Sequence, residues 1–280
     1  MINKIKDMLG ERSGRERTGV PRNVIVHFHY YKNAGSSVRY ILMRNFHGKY
    51  LDFILPVSRT MITGKEAIKI ILDNPGVEAV TSHEMIYPFP PDERLRIYPL
   101  IFIRNPIDRI GSIYRYERIS GERYERAEIA RTECFKGYIE WIFSKKERMG
   151  EFSEFHVREL SCRGDGELHD FKERCISGSD LSIAYERLEG LKFFGIVERF
   201  SESIKLMEGY LDGAFPGIDY RYQHQNRTER IDPFETRIGM LRQELGSSLF
   251  DRLEKVNRLD LELYNHACEL FEARVKEKIG

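Results

Sequence analysis

The chain has 280 residues, 41% of them hydrophobic, and a formal net charge of +1, because 45 lysines and arginines nearly balance 44 aspartates and glutamates. This composition excludes a disordered chain, and the length allows a sizeable core without disulfide or metal staples. The balanced charge argues against a general nucleic-acid coat protein, which carries a clear basic excess. The apolar runs fall short of the about 20 residues that span a bilayer, and the first twenty residues lack the hydrophobic stretch of a signal peptide. We therefore expect a cytoplasmic protein, or the soluble domain of a longer, membrane-anchored one.

The predicted elements alternate between strands and helices. Residues 1–22 are polar and are interpreted as an N-terminal arm, and residues 23–280 as a single domain without a dividing linker. In chain order, the apolar patterns predict a strand at 24–29, helices at 36–46 and 65–72, strands at 77–82 and 100–104, and a helix at 107–118. There follow a helical middle at 123–146, a strand at 191–197, a helix at 201–211, a polar loop at 220–230, and helices at 234–245, 249–256 and 259–275. This alternation implies an α/β fold whose mainly parallel central sheet is flanked by helices on both faces.

The first strand–turn–helix unit has the features of an anion-binding loop. Lys32, Gly35, Ser36 and Ser37 lie between the strand at 24–29 and the next helix. Backbone N–H groups at a helix N-terminus favour an anion, Gly35 permits close backbone approach, and Lys32 adds a positive charge. The loop is not a Walker A motif, because that motif places its lysine after the last glycine. An ordinary strand-to-helix turn with a serine N-cap is the alternative interpretation.

The second unit spans residues 99–116. Arg104 lies at the end of a predicted strand, where α/β proteins place ligand groups, and Ser112 follows on the next helix. The planar fork of an arginine suits a phosphate. The alternative is that Arg104 pairs with a carboxylate such as Asp108 and that Ser112 faces solvent. Two such units on one sheet favour a ligand with phosphate groups.

The two units resemble those of the sulfotransferases that use 3′-phosphoadenosine 5′-phosphosulfate (PAPS). The segment HYYKNAGSSV resembles their 5′-phosphosulfate loop, HxPKTGGTS, and IRNPIDRIGSIYRY resembles their 3′-phosphate motif, RxPxxRxxSxY, in the same order and at a similar distance. The segments NRTERI and DLELYNHACELF resemble the end of the membrane-type carbohydrate sulfotransferases, of which the heparan sulfate 2-O-sulfotransferase subgroup is nearest. The resemblance extends from residue 24 to about residue 271, but residues 118–185 carry no assignment. It implies a P-loop-like three-layer sandwich.

The resemblance implies roles for individual residues. Lys32 would contact the bridging oxygen and the sulfonate as the bond to sulfur breaks. The 5′-phosphate would be held by the rest of the loop, namely Asn33, Ala34, Gly35, Ser36 and Ser37. The 3′-phosphate would be bound by Arg104 and Ser112, and the nucleotide would be covered by Asn226 and Arg227. The loop departs from the family pattern where Tyr31 replaces proline and where Asn33 and Ala34 replace threonine and glycine.

His83 is the predicted general base. It follows the strand at 77–82, and thus lies at the same sheet edge as the two anion-binding units. Its ordinary pKa of about 6.5 suits proton abstraction near neutrality. A histidine at the matching place is the base in the 2-O-sulfotransferase subgroup, so the resemblance makes His83 and Lys32 the catalytic residues. Glu84 is the alternative base, a purely structural His83 is another interpretation, and His29 is interpreted as structural.

The sequence does not imply a metal. The four cysteines form no C-x-x-C pair and show no zinc-ligand spacing. In a cytosolic compartment we expect reduced thiols, with a Cys162–Cys175 disulfide as the alternative. Residues 70–73, IILD, superficially resemble a Walker B strand but lie in a helical pattern. Lys32, Arg104 and the loop N–H groups can stabilise the charge of the leaving group without a metal. The run at 115–131 mixes arginine, glutamate and tyrosine, and forms either a solvated helix face with i,i+4 ion pairs or an acceptor cleft.

The leading hypothesis is a metal-independent sulfotransferase that moves the sulfuryl group from PAPS to an acceptor hydroxyl and releases 3′-phosphoadenosine 5′-phosphate (PAP). The expected acceptor is a carbohydrate or glycoconjugate, with lipid-linked sugars, small metabolites and protein tyrosine as alternatives, and no nucleic acid is expected as a partner. A P-loop-type kinase would instead require Mg²⁺ and an acidic metal ligand. A nucleotide-binding module without catalysis would bind PAP without turnover.

Overall fold

The computed structural model describes residues 19–53, 61–164, 171, 173–222 and 233–278. The strands are β1 (Arg22–Phe28), β2 (Tyr50–Asp52), β3 (Ala79–Ser82), β4 (Leu95–Leu100), β5 (Phe102–Ile103) and β6 (Gly195–Ile196). The helices are α1 (Gly35–Asn45), α2 (Gly64–Asp73), α3 (Pro106–Ile119), α4 (Glu125–Thr132), α5 (Phe135–Ser144), α6 (Phe155–Ser161), α7 (Gly178–Gly190), α8 (Phe200–Leu211), α9 (Phe234–Leu245), α10 (Ser247–Lys255) and α11 (Arg258–Lys278). Among these helices, none is long and apolar enough to cross a membrane.

The main sheet is parallel. Its strands lie in the order β2–β3–β1–β4, and β5 pairs with β6 in a second parallel ladder. Phe28, the last residue of β1, lies opposite Ser82, the last residue of β3. The segments that follow these two strands therefore leave the sheet side by side, at the carboxyl edge where α/β folds place ligand groups.

The main core lies around β1. Val24, Ile25 and Val26 are completely buried, since a parallel sheet covered on both faces has continuous apolar strands rather than alternating ones. Ile41 and Leu42 of α1 are completely buried in the same cluster. Each such side chain contributes about 1.5–3 kcal/mol relative to an exposed one. This burial fixes the axis of α1, and so the direction in which its N-terminus points.

A second apolar cluster joins α3 to α5, α9 and α10. Ile110, Tyr138, Leu241 and Phe250 are buried in it, one from each of these helices. A Cβ on Gly111 of α3 would lie 3.0 Å from each methyl carbon of Leu241, so the glycine lets α9 approach α3 closely. The first turns of α9 are thereby brought beside the first turns of α3.

The sequence prediction of an α/β fold with a mainly parallel sheet is confirmed. Residues 70–73 lie within α2, in agreement with the helical interpretation of IILD. The helical middle predicted at 123–146 divides at Glu133 and Cys134 into α4 and α5. The patterns had given no element for β2, α6 or α7. Residues 1–18 of the predicted arm lie outside the described residues, and Arg22, its last residue, begins β1.

The strand predicted at 191–197 is much shorter than expected. Its paired part is Gly195–Ile196, opposite β5. Leu191, Phe193 and Phe194 are buried in the main core but precede the ladder. A run of apolar residues indicates that the segment is buried, but a buried segment need not be a strand.

Candidate active site

The loop between β1 and α1 is held in an unusual backbone conformation. Lys32 and Ala34 both have positive φ, 65° and 60°, which is uncommon for residues other than glycine. Ala34 is the N-cap of α1, no side chain caps the helix, and its first turn contains no acidic residue. The backbone N–H groups of Ser37 and Val38 both donate to the Ala34 carbonyl. The start of α1 is therefore electropositive, as an anion-binding helix terminus requires.

Gly35 is required by the ring of His29. A Cβ at position 35 would lie 1.7 Å from Cδ2 of His29, which no real contact permits. The ring of His29 thus covers the first residue of α1, and the prediction that His29 is structural agrees with this packing. The glycine serves close contact with a side chain of the same chain, in addition to any approach by a ligand.

Three histidines form a stack at the ends of β1 and β3. The ring of His29 lies 5.2 Å from that of His27 and 3.8 Å from that of His83, with small interplanar angles. The pairing of Phe28 with Ser82 explains this, because His29 and His83 are the next residues of neighbouring parallel strands. His83 is exposed to solvent. Its ring is therefore accessible from outside while it stacks on the ring of His29.

The stacked histidines are held in their neutral form. Burial, reinforced by the charge of His83, lowers the pKa of His27 to about 3. Burial and the neighbouring histidines also place the pKa of His29 far below its ordinary value. Desolvation by the crowded surroundings lowers the pKa of His83, and the carboxylate of Glu84 only partly opposes this. A neutral His83 can accept a proton at pH 7.

Lys32 lies in a basic environment. Its Nζ is 4.1 Å from the ring centre of Tyr116, a cation–π contact. Burial lowers the pKa of Lys32 to about 8, and the charges of Arg104 and Arg115 act in the same direction. An anion close to Lys32 would relieve this unfavourable setting.

Arg104 joins the two anion-binding units. Its Nη1 donates to the Lys32 carbonyl oxygen at 2.8 Å, while Nε and Nη2 donate to Oδ2 of Asp108 at 2.9 and 2.8 Å. The pairing with Asp108, left open as an alternative from the sequence, is therefore present, but it coexists with a direct bond to the first loop. Asn105 caps α3 by accepting from the N–H groups of Ile107 and Asp108, which fixes Asp108 beside Arg104.

Other predicted donor-binding residues have different positions. Ser112 is half-buried on α3, one turn beyond Asp108. Asn226 and Arg227 lie outside the described residues. The side chain of Asn33 is 1% exposed and turns inward, so it does not face the start of α1 as a phosphate ligand would. The carboxyl edge of the sheet thus carries Lys32, Gly35, Arg104 and His83. Asn33 instead points into the protein and anchors the loop there.

A buried network that the sequence patterns did not indicate anchors Asn33. Its Nδ2 donates to the Phe102 carbonyl at 2.6 Å and lies 2.6 Å from Nε2 of His156. The other ring nitrogen of His156, Nδ1, lies 3.2 Å from Oδ2 of Asp260. These residues come from β5, α6 and α11, far apart in sequence, and no local spacing could have linked them.

Tyr31 and Tyr116 form an aromatic wall beside His83 and Lys32. The ring of Tyr31 lies 6.3 Å from that of His83 and 6.2 Å from that of Tyr116, edge-on in both contacts. Tyr31 stands where the sulfotransferase loop has proline. The structure therefore places a large ring beside His83, the predicted base, at this departure from the family pattern.

The run at 115–131 matches neither sequence interpretation in full. Glu117 is completely buried, and its carboxylate is 2.5 Å from Nη2 of Arg126 on α4. The same carboxylate accepts from the hydroxyls of Tyr124 and Tyr138, at 3.2 and 2.7 Å. Part of the run is thus an internal polar network that joins α3, α4 and α5.

Comparison with known proteins gives two matches. The profile of a family described as "Sulfotransferase family" matches residues 18–267, which include both anion-binding units and His83. A protein of Archaeoglobus fulgidus, described as an uncharacterized protein, is 31% identical to this chain over 256 residues. That alignment covers 90% of this chain and 98% of the relative.

Proposed function

This chain belongs to the sulfotransferase family, and on that premise we propose that it transfers the sulfuryl group of PAPS to a carbohydrate hydroxyl, with His83 as general base. The observation that carries the proposal is the bond between Arg104 and the Lys32 carbonyl. It joins the predicted 3′-phosphate unit to the predicted phosphosulfate loop, at the sheet edge that also carries His83. A donor that carries one phosphate group for each unit matches this juxtaposition of the two units.

The residues present fit such a donor. The start of α1 has neither a capping side chain nor an acidic residue, so its N–H groups suit the 5′-phosphate. Arg104 and Ser112 on the second unit suit the 3′-phosphate. PAPS, when bound, supplies the activated sulfuryl group and leaves as PAP. Lys32 would place its ammonium against the charge that develops on the leaving oxygen, a form of electrostatic stabilisation.

His83 would accept the proton of the acceptor hydroxyl. Its lowered pKa keeps the imidazole neutral at pH 7, and the stack with His29 restricts rotation of the ring. Glu84, the alternative base, already accepts a hydrogen bond from the Ser82 hydroxyl, and its own N–H donates to the same Ser82 oxygen. Because the Glu84 carboxylate is already engaged with Ser82, His83 is the better candidate to accept the proton of the acceptor.

The aromatic wall supports a carbohydrate acceptor. The rings of Tyr31 and Tyr116 offer flat, partly apolar surfaces with hydroxyl edges beside His83 and Lys32. Tyrosine combines apolar area with a polar edge, which suits a sugar ring with its C–H face and its hydroxyls. We place the enzyme with the carbohydrate branch that resembles heparan sulfate 2-O-sulfotransferase, on the matching position of His83.

Titration calorimetry with PAP, ADP and AMP in EDTA tests the donor. We expect PAP to bind more tightly than AMP by at least roughly tenfold, because a dianionic group meets Arg104. Equal affinities, or a requirement for Mg²⁺, would favour a kinase-like function and overturn the proposal.

Transfer from radiolabelled PAPS to a panel of oligosaccharides, with tyrosine peptides as controls, tests the reaction. Lys32→Ala and His83→Ala should each lose turnover while the protein stays folded. Lys49→Ala is the matched control, since Lys49 is exposed, pairs with Glu78 and lies at the opposite edge of the sheet. Tight PAP binding without transfer to any acceptor would instead indicate a binding module.

A further inference from the structure

An ion pair lies at the end of β2, the strand that neighbours β3 on the side opposite to β1. The strand order β2–β3–β1 places His83, which follows β3, between these two strands. Tyr31, which follows β1, contacts the ring of His83 edge-on. Asp52 is the last residue of β2, and its carboxylate accepts a hydrogen bond from Nε of Arg39 on α1. The predicted base is thus flanked by an aromatic ring on one side and by an ion pair on the other.

The register of the sheet sets the separation of Asp52 from His83. Asp52 lies opposite Thr81 of β3, and His83 follows two residues later. Neighbouring strands lie about 4.8 Å apart and rise about 3.3 Å per residue, so the Cα atoms of Asp52 and His83 are roughly 8 Å apart. A single ligand above this edge of the sheet can therefore contact both side chains.

Asp52 and the histidine stack belong to the same face of the sheet. Asp52 and its register partner Thr81 point to the same face, because side chains alternate along both strands in step. Nδ1 of His27 lies 3.3 Å from Oγ1 of Thr81, so His27 is also on this face. The ring of His29 stacks on that of His27, and the ring of His83 stacks on that of His29. The stack therefore rises beside the carboxylate of Asp52.

The ion pair retains hydrogen-bonding groups for a ligand. Oδ2 of Asp52 accepts from Arg39, while Oδ1 accepts no hydrogen bond from the part of the chain that the structure describes. Arg39 also interacts with Tyr50, but a guanidinium has five N–H donors. The side chains of Arg39 and Asp52 are 44% and 23% exposed. Neighbouring hydroxyl groups of a sugar match this pair, because one can donate to Oδ1 while another accepts from Arg39.

The charges around His83 disfavour an anionic acceptor. Desolvation lowers the pKa of His83, and the carboxylate of Glu84 opposes this. Asp52 acts on the pKa of His83 in the same direction as Glu84, whereas Arg39 acts in the opposite direction. Among the described residues, two carboxylates and one guanidinium group thus act on the predicted base. A sugar carboxylate beside Asp52 would be repelled, whereas an uncharged hydroxyl donates to it.

We propose that Asp52 is a specificity-determining residue, which binds a hydroxyl group next to the one that is sulfated, and that the acceptor is an uncharged sugar rather than a uronic acid. This rests on the proposed transfer to a carbohydrate. Tyr31 then supports the C–H face of the sugar, while Asp52 and Arg39 hold its hydroxyl edge. The competing explanation is a structural tie, in which the ion pair only fastens α1 to β2. Such a tie would also affect binding of the donor, because the N-terminus of α1 is part of the donor site.

The experiment is transfer from radiolabelled PAPS at pH 7.5 to neutral hexasaccharides of glucose, galactose or mannose, and to a hexasaccharide of glucuronic acid and N-acetylglucosamine. We expect the wild type to use a neutral hexasaccharide with a higher kcat/KM than the uronate-bearing one. Asp52→Asn should raise KM for that neutral acceptor by about tenfold, the scale of one charge-assisted hydrogen bond. Its affinity for PAP, measured by calorimetry, should be unchanged.

A matched variant and the choice of pH isolate this effect. Asp73→Asn is the control, because Asp73 is a partly exposed carboxylate that pairs with Lys69 at 2.7 Å on α2. It should leave KM and PAP affinity at their wild-type values. At pH 7.5 His83 is neutral with or without the carboxylate of Asp52, since loss of that charge lowers the pKa of His83 further. A change in KM therefore does not reflect ionisation of the base.

Each outcome has a distinct meaning. If PAP binds but none of the sugars is sulfated, the proposed carbohydrate transfer fails. If sugars are sulfated and the uronate-bearing one is preferred, or if Asp52→Asn keeps the wild-type KM, the function stands and the role of Asp52 is wrong. A parallel loss of PAP affinity in Asp52→Asn would indicate the structural tie and would also overturn the inference. Should Asp52→Asn fail to fold, the preference of the wild type between neutral and uronate-bearing sugars decides.

Discussion

At the scale of single residues, Lys32 is the most constrained of the predicted catalytic groups. Its backbone is left-handed, its ammonium faces the ring of Tyr116, and its neighbours Arg104 and Arg115 are cationic. Burial and the charges of Arg104 and Arg115 weaken the hold of Lys32 on its proton in the free enzyme, whereas the contact with the Tyr116 ring favours the ammonium form. A bound phosphosulfate would have the opposite effect, because a nearby anion favours the ammonium form.

The pH dependence of kcat/KM for PAPS should be bell-shaped. kcat/KM reports the pKa values of the free enzyme. The alkaline limb should fall near pH 8, where Lys32 loses its proton. The acid limb should lie below pH 6.5, because His83 has a lowered pKa and is an active base only when neutral. Under saturating PAPS, the alkaline limb of kcat should move to higher pH.

Two controls isolate these limbs. PAP affinity measured over the same range separates ionisation of the donor from that of His83. His83→Gln should abolish the acid limb along with most of the activity. An alkaline limb that coincides in kcat and in kcat/KM would show that the titrating group is not beside the phosphosulfate, and would remove Lys32 from that role.

A second prediction at this scale concerns Gly35. Gly35→Ala should keep the fold but lose most of the transfer activity, because the new methyl group would displace the His29 ring and with it the stacked His83. Gly209→Ala is the control, since nothing lies within 4 Å of its Cβ position on α8 and alanine favours a helix. The double variant Gly35→Ala with His29→Ala removes the clash. If the double variant is less active than His29→Ala alone, displacement of His29 is not the cause of the loss.

At the scale of elements, the loop between β1 and α1 depends on contacts from three other parts of the chain. Asn33 reaches the end of β5 and His156 of α6, and His156 reaches Asp260 of α11. Asp260 also accepts the backbone N–H of Val157, so α6 and α11 are fixed to each other. With Nδ1 donating to Asp260, Nε2 of His156 is left to accept from the Asn33 amide. The strained residues Lys32 and Ala34 flank this anchor directly.

Asn33→Ala should therefore raise KM for PAPS while it lowers stability. Loss of two buried hydrogen bonds at Phe102 and His156 costs about 1–3 kcal/mol of unfolding free energy, and the released loop should bind the donor less well. Asn45→Ala is the matched control at the other end of α1, where Asn45 bonds to Ile41 and to the backbone of Asp219. Urea unfolding and steady-state kinetics of both variants check this. Equal changes in KM would show that the anchor has no special link to the donor site.

The elements also show which parts of the fold and of the candidate site could be predicted from sequence patterns. The strand at 24–29 and the start of α1 could be predicted because continuous β-branched residues, a small-residue turn and helical spacing act locally. His83 could be placed beside the loop because parallel strands share their carboxyl edge. Arg237, which donates to Asp108, and His156 could not, since their positions depend on how α9 packs at Gly111 and how α6 packs on α11. Contacts that arise from long-range packing leave no recognisable residue spacing in the sequence.

At the scale of the whole molecule, the candidate site is assembled at one sheet edge but supported from two cores. The main core fixes β1 and α1, and the second cluster fixes α3 and α9. Arg104 connects the parts of the chain that these two cores support, through its hydrogen bonds to Lys32 and Asp108. The histidine stack is part of this support, because His27 is buried at the centre of the sheet and bonds to Thr81 of β3 at 3.3 Å.

Burial of neutral histidines in the sheet should make the stability of the whole protein depend on pH. The pKa of His27 is about 3 in the folded state, because of burial and the charge of His83, against about 6.5 in an unfolded chain. Between these values the unfolded state binds more protons, so the unfolding free energy falls as pH falls. The contribution is fully present above pH 6.5, and its loss is at most about 1.4 kcal/mol per pH unit for each histidine. His29 acts in the same direction.

The half-buried carboxyl of Glu154 acts in the opposite sense, which makes a variant comparison necessary. Burial and the charge of Asp260 raise the pKa of Glu154 to about 7, so this group stabilises the fold at low pH and less so as pH rises through 7. Urea midpoints of the wild type and of His27→Phe between pH 5 and pH 7.5 separate the two effects. His27→Phe should flatten the decline toward acid, whereas His47→Gln, at an exposed position, should not. An identical slope in wild type and His27→Phe would mean that His27 is not the buried neutral group on which the acid sensitivity depends.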